Sequence, residues 1–186
     1  MRRLILAIAA LAFLAGPAFA EDKPPSRETT LDALYERLAK AKDETEAKGI
    51  AGAIERAQLR SGSDTTDLLM SRALSAIQGG KSDVAVEILT SVVKINPDFT
   101  EAWNKRATLY FLKNDYPHSV ADIAETLKRE PRHFGAWAGL GMILRETGDK
   151  KRAFEAFKKA LAINPYLDTV RKAADELRED VEGRDI

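Results

Sequence analysis

The sequence predicts an all-α protein in which pairs of helices stack into a solenoid. The first observation is a constant step, since Asn96-Pro97, Glu130-Pro131 and Asn164-Pro165 are separated by 34 residues, the difference between positions 97, 131 and 165. Trp103 and Trp137 keep the same step. A repeat of this length is typical of solenoids made of small helical units.

The second observation is that each unit divides into two amphipathic helices. In the third unit Gly148-Asp149 ends the first helix and Asn164-Pro165 closes the second, because proline cannot continue a helix. Gly141 and Ala160 are small enough to let the two helices approach closely, while Trp137 fills the space between them. A single pair cannot bury its apolar faces alone, so neighbouring pairs are expected to stack.

These markers resemble the tetratricopeptide repeat family, whose pattern is W-x2-L-G-x2-Y, then A-x3-F, an alanine and a closing proline. Three units span 66–99, 100–133 and 134–167. The third unit matches at Trp137, Leu140, Gly141, Ala153, Phe157, Ala160 and Pro165. The second departs at Arg106, Ser119, Ile123 and Thr126, and the first has Leu69 and Ala76 in place of the aromatic residues. The resemblance implies a right-handed α-solenoid whose first helices line a concave groove.

The ends of the chain fit a capped solenoid. Residues 30–62 keep some family positions, with helical stretches at 30–42 and 44–59, and are interpreted as a degenerate N-terminal helix pair. Residues 168–182 form an amphipathic capping helix with one charged face, which a terminal repeat needs for solubility. The polar, proline-containing residues 21–29 are expected to be a flexible leader.

Residues 1–20 have the layout of a secretory signal peptide. Arg2 and Arg3 precede an apolar run over 4–16, and Ala18-Phe19-Ala20 supplies small residues for cleavage after Ala20. The alternative is a membrane anchor, but the run is shorter than the ~20 residues that span a bilayer. The sequence therefore predicts a periplasmic protein, with no stable membrane insertion after the signal is cleaved.

Composition argues against several classes of function. Lys+Arg and Asp+Glu are both 29, so the chain lacks the basic surface of a nucleic-acid-binding protein, and the basic segment 128–133 has no aromatic platform. There is no cysteine, and the two histidines, His118 and His133, are interpreted as solvated turn residues. No phosphate-binding loop or nucleophile motif occurs. We expect no enzyme activity, no cofactor and no metal site.

The family resemblance places a partner-binding groove on the first helices. Its apolar centre and polar rim are predicted to come from Met70, Leu74, Asn104, Thr108, Phe111, Met142 and Arg145. Methionine suits a surface that adapts to an irregular apolar partner. The alternative is that Leu74, Phe111 and Met142 pack against the next helix pair. Some family members clamp a terminal carboxylate, but Met70 and Leu74 stand where that clamp begins with Lys and Asn, so the clamp is not expected here.

These observations predict an exported interaction module that binds a protein or peptide segment, in cell-envelope assembly or maintenance. A chaperone-like holdase and a non-catalytic regulator of a cell-wall enzyme are the alternatives. Self-association through the groove is a further possibility, since the sequence does not specify the oligomeric state.

Overall fold

The computed structural model describes residues 26–183, and all regular secondary structure within that range is helical. The predicted signal peptide and the first part of the leader lie outside the described residues. The helices are α1 (Arg27–Ala39), α2 (Glu44–Gln58), α3 (Asp64–Gln78), α4 (Ser82–Ile95), α5 (Thr100–Leu112), α6 (Tyr116–Arg129), α7 (Phe134–Glu146), α8 (Lys150–Ile163) and α9 (Asp168–Glu182). The predicted class, an α-solenoid of helix pairs, is confirmed. No helix between residues 26 and 183 has both the length and the hydropathy for crossing a bilayer.

The turn inside each repeat uses a left-handed residue at the same position. Gly80, Asn114 and Gly148 have φ angles of 69°, 58° and 84° and follow one another at the repeat step. Glycine adopts this conformation without a steric penalty, and asparagine is among the few other residues that tolerate it. The three turns therefore reverse the chain in the same way, which gives the pairs α3–α4, α5–α6 and α7–α8 the same connection between their helices.

The two helices of the third repeat meet at a glycine. A Cβ atom on Gly141 would lie 2.4 Å from the ring of Phe157, so no larger residue fits without movement. The equivalent residues of the other repeats are Ala73 and Ala107, both buried. The close approach expected from the small residues is confirmed.

The residues that mark the period also stabilise the turns between repeats. The indole Nε1 of Trp103 donates to the Pro97 carbonyl at 2.8 Å, and that of Trp137 donates to the Pro131 carbonyl at 2.9 Å. At the next step Arg171 donates to the Pro165 carbonyl. Each side chain therefore links its helix to the preceding turn, and this contact recurs every 34 residues.

The polar residues by which the second repeat departs from the family pattern have hydrogen-bond partners in the interior. Arg106 stands where the third repeat has Leu140, and its guanidinium binds both carboxylate oxygens of the buried Asp122 at 2.7 and 2.8 Å. Ser119 is fully buried and donates to the Ala107 carbonyl at 2.8 Å. Since these buried polar groups are paired, the second repeat keeps the same packing with a different chemistry.

The C-terminal helix continues the stack. Four small or apolar residues of α9 pack on Phe154 and Phe157 of α8. They are Val170, Ala173, Ala174 and Leu177. The predicted capping helix is therefore present and occupies the place of a further first helix.

The N-terminal helix pair starts earlier than expected. Helix α1 begins at Arg27, because the Ser26 hydroxyl accepts a hydrogen bond from the Thr29 amide at 3.1 Å and caps the first turn. Residues 27–29 are thus helical, and their assignment to a flexible leader was wrong.

The pair α1–α2 also packs in an unexpected place. Its core, built around Leu34, Leu38 and Ile54, meets Tyr166 in a turn between repeats and the adjoining helix ends at Phe134 and Ile163. We call the edge formed by the turns 96–100, 130–134 and 164–168 the rim.

The pair therefore lies along the rim and is not a leading repeat stacked on α3. The face of α3 that a preceding repeat would cover leaves Leu68 54% exposed and carries the polar, exposed Arg72 and Ser75. That face offers little apolar surface to a stacking neighbour, whereas the apolar stripe of α1–α2 is covered at the rim.

Candidate functional site

The inner side of the solenoid contains an apolar cavity between the second and third repeats. Helices α5 and α7 contact each other directly, as first helices of neighbouring repeats do on the inner side of such a stack. Between them lies a cavity of about 270 Å³. Its lining consists of Asn104, Ala107, Thr108, Phe111, Leu112, Ser119, Ile123, Gly135, Ala136, Ala138, Gly139, Met142 and Ile143.

The cavity exists because one wall has small side chains. Gly135, Ala138 and Gly139 follow one another along α7, and they face Phe111 on α5. A Cβ atom on Gly139 would be 3.7 Å from the nearest carbon of Ile123, which is ordinary contact distance, so the site has room for a larger side chain. The floor is buried, with Ile143 only 2% exposed. The space fits a single bulky apolar side chain.

Four of the seven predicted groove residues line this cavity. Phe111 and Met142 are half-buried, as expected for an apolar centre that a partner can reach. Thr108 is exposed, and its hydroxyl donates to the Asn104 carbonyl at 3.0 Å. The side-chain amide of Asn104 donates through Nδ2 to Glu101 at 3.2 Å, which leaves the side-chain oxygen Oδ1 as an acceptor. Apolar surface with polar groups at one side is the composition expected of a peptide groove.

The other three predicted residues lie elsewhere. Met70 is 2% exposed and belongs to a core cluster with Phe99 and Leu109, so its assignment to the accessible groove was wrong. Leu74 is partly buried and packs against the same cluster. Arg145 points toward α9, where its guanidinium pairs with Glu176 at 3.9 Å. These residues support the stack and do not line the cavity.

His133 is buried, and the interpretation as a solvated turn histidine was wrong for it. It is 5% exposed, and its Nδ1 accepts from the Ala136 amide at 3.0 Å, which caps α7. Nε2 therefore carries the proton and donates to the buried Glu101 carboxylate at 3.1 Å. Burial favours the neutral acid, but the contacts with His133, Lys105 and Asn104 outweigh it and lower the pKa of Glu101.

His118 is the exposed histidine that was expected, and it interacts with Asp115 at the start of α6. Across residues 26–183 no group of three or more histidine or carboxylate side chains is placed to hold a metal ion.

The seven predicted groove residues do not include Gly135, Ala138 or Gly139, which form the small-residue wall of the cavity. The signal was present in the pattern Gly135-x-x-Ala138-Gly139 of α7. Small residues at this spacing face the same side of a helix and leave a gap beside it. Whether a neighbouring helix fills such a gap is decided by tertiary packing.

The fold and the cavity define a class of protein, an α-solenoid of helix pairs with an apolar site on its inner side. The chain belongs to the tetratricopeptide repeat family, whose model matches residues 70–125 and 113–168.

The similar proteins agree with this assignment. The chain is 35% identical to a TPR repeat-containing protein of Rhizobium etli, over 85% of this chain and 78% of that protein. Among solved structures it resembles MamA, with a TM-score of 0.61 and 19% identity over 77% of this chain and 85% of the other. It also resembles the first TPR of Spaghetti (RPAP3) bound to the HSP90 peptide SRMEEVD, with a TM-score of 0.59 and 15% identity over 62% of this chain and 91% of the other.

Proposed function

We propose that this protein is a non-catalytic periplasmic scaffold that binds a protein segment in its concave groove during cell-envelope assembly or maintenance. The observation that carries the groove assignment is the apolar cavity of about 270 Å³ between α5 and α7. The proposal of export depends on the signal-peptide pattern of residues 1–20.

The cavity suggests how the segment is held. One bulky apolar side chain of the partner enters between Phe111 and the small residues of α7, where it is removed from water. The side-chain oxygen of Asn104 and the exposed Thr108 hydroxyl are near enough to the same space to bind the partner's backbone. A preformed receptor loses little conformational entropy on binding, which favours recognition of a short segment.

A family member with similar architecture supports a peptide ligand, because the first TPR of Spaghetti is bound to an HSP90 peptide. The peptide SRMEEVD itself is not transferred to this chain, since Met70 and Leu74 are apolar at the first clamp positions.

The test is crosslinking pull-down with the full chain expressed in its own host, followed by identification of the captured proteins. The groove variant is Phe111→Glu with Met142→Glu, which places two carboxylates in the apolar site. The matched control is Val84→Glu with Val120→Glu, two exposed apolar residues on second helices outside the cavity. We expect the groove variant to lose its specific partner and the control to retain it.

A second variant separates loss of the site from loss of folding. Gly139→Leu fills the cavity without introducing charge and removes a helix-destabilising glycine, so it leaves the fold intact. It should bind the partner about tenfold more weakly or worse. Retention of a specific partner by both groove variants would refute the groove assignment. Capture of many unrelated denatured proteins would indicate a holdase instead.

Localisation has its own test. N-terminal sequencing of the purified mature protein should begin at Glu21, and cell fractionation should place it in the periplasm. Replacing both Ala18 and Ala20 by leucine should block cleavage, because the processing enzyme requires small residues there. Recovery of the unprocessed wild-type chain from the cytoplasm would contradict export.

A further inference from the structure

A second and larger cavity lies where the start of α1 meets the rim. Its volume is about 800 Å³, and its walls come from the beginning of α1, the start of α5 and the turn between α6 and α7. None of the groove residues lines it, so it is separate from the site between α5 and α7. A space of this size is typical of small-molecule sites.

Three arginines line this cavity, Arg27 from α1, Arg129 from the end of α6 and Arg132 from the turn that follows it. Helix α5 also begins here at Thr100, and no side chain caps its first turn. The positive end of a helix dipole adds to the charge of the guanidinium groups. The lining thus concentrates donors and positive potential in one place.

The carboxylates of the lining pair with only one of the three arginines. Glu130 uses both oxygens on Arg132, at 2.9 and 3.0 Å, and Arg132 also pairs with Asp32 at 2.8 Å. The other lining acid, Glu28, is exposed to solvent. Arg132 is therefore paired within the protein, and Arg27 and Arg129 are the two arginines left to bind a ligand.

Arg27 and Arg129 carry donors without acceptors. The Arg27 side chain makes no ion pair or hydrogen bond with any residue between 26 and 183, and its guanidinium lies 5.7 Å from the centre of the Phe99 ring. Arg129 reaches Glu125 with one nitrogen only. The Nε–H groups of both arginines are buried and have no partner. Because both Nε–H groups are buried, an anion in the cavity would contact the Nη nitrogens that make no hydrogen bond.

We propose that this cavity binds a small anion through its carboxylate or phosphate oxygens, with Arg27 and Arg129 as the main ligands. Arginine is suited to both groups because its planar donors match two oxygens at once. Arg27 belongs to α1 and Arg129 to the solenoid, so the bound anion also ties the N-terminal pair to the rim. The site does not depend on the proposed function of the groove.

The experiment is isothermal titration of the mature full chain with sodium phosphate and, in a separate arm, with citrate, at constant ionic strength. The variants are Arg27→Gln and Arg129→Gln, and the matched control is Arg37→Gln, an exposed arginine of α1 outside the cavity. Wild type should bind one anion saturably, and each cavity variant should weaken binding about tenfold or more. The Arg37→Gln protein should bind like wild type.

Hydrogen exchange provides a second readout. Saturating anion should slow exchange of the α1 amides in wild type but not in Arg27→Gln, since the bound anion adds a link between α1 and the rim only when Arg27 is present. If Arg27→Gln does not fold by circular dichroism, Arg27→Lys keeps the charge but lacks the planar donors, and it should bind with intermediate affinity. Saturation by phosphate only, or by citrate only, identifies which oxygens the site accepts. Absence of saturable binding in both arms, or equal weakening by Arg37→Gln, would overturn the proposal.

Discussion

The two ends of the protein use amphipathic helices in different ways. Helix α9 stays in the repeat register, whereas α1–α2 leaves it and lies along the rim. The position that meets the preceding helix pair explains the difference. At this position Ala102, Ala136 and Val170 are buried, whereas Leu68 in the first repeat is exposed. A helix at a chain end therefore extends the stack only if the adjoining repeat offers an apolar face to it.

The attachments of the two ends also differ. Helix α9 is held by apolar burial, with Leu177 5% exposed against the α8 cluster. The N-terminal pair has its own core, which meets Phe134, Ile163 and Tyr166 of the solenoid, and polar contacts add to this attachment. These include Arg132 with Asp32 at 2.8 Å, Lys105 with Glu55 at 3.3 Å and the Tyr166 hydroxyl with the Ala41 carbonyl at 3.1 Å. Since exposed ion pairs contribute little, the N-terminal pair should detach more easily than α9.

Removal of each end should give the largest contrast. Ending the chain after Leu167 removes α9 and uncovers Phe154 and Phe157, and we expect a loss of about 5 kcal/mol in the free energy of unfolding. Starting the chain at Ser61 removes α1–α2 and should lower the stability of the repeats by only about 2 kcal/mol. Urea denaturation followed by circular dichroism measures both. Equal losses would contradict the difference in attachment.

Point substitutions should separate global from local stability. Leu177→Ala and Ile54→Ala each remove a buried aliphatic side chain and should each cost about 3 kcal/mol locally. For Leu177→Ala, hydrogen exchange should become faster throughout α7 and α8. For Ile54→Ala the faster exchange should be confined to α1 and α2, because that core is separate. Faster exchange of α8 in Ile54→Ala would mean that the two ends unfold as one unit.

The buried acid at the rim should make stability depend on pH. The pKa of Glu101 is lowered from its usual 4.5, so the folded state favours the carboxylate over the acid. This contribution is complete above pH 4.5 and is lost as the pH falls through the lower pKa of the folded state. Glu101→Gln should therefore cost about 2 kcal/mol at pH 7, and the difference from wild type should shrink below pH 4.5.

The control for this prediction is Glu87→Gln, an exposed glutamate on α4, measured by urea denaturation across the same pH range. It should match wild type throughout. A constant difference between Glu101→Gln and wild type at all pH values would show that the ionised carboxylate is not responsible.

Surface ion pairs should give the smallest effects at both ends. Asp32→Asn removes the half-exposed partner of Arg132. Asp180→Asn, a change on α9, removes the half-exposed partner of Lys150 on α8. Each should cost about 0.5 kcal/mol or less at low salt, and the effect should fall as salt is added. Thermal unfolding at two ionic strengths is the measurement. A larger, salt-resistant loss for Asp32→Asn would show that the ion pair is a main attachment of the N-terminal pair.

Much of the fold could be predicted from the sequence because its determinants are local and repeated. Pro97, Trp103 and Gly148 mark turns and contacts that occur within one unit or its neighbour. The groove was only partly predictable. Phe111 and Met142 line the cavity as expected, but the burial of Met70 depends on contacts with Phe99 and Leu109 across two repeats. The spacing of a residue on its own helix does not contain that information.

The sequence by itself determined the helix pairs, their constant step and the capping of the stack by α9, because each depends on residues close together in the chain. Only the tertiary structure decided where α1–α2 lies, that His133 is buried against Glu101, and that a cavity remains beside Gly139. These features join residues that are distant in sequence and follow no period. Their physical basis is the fit of particular side chains in space, such as Tyr166 against Ala41, which no repeat pattern records.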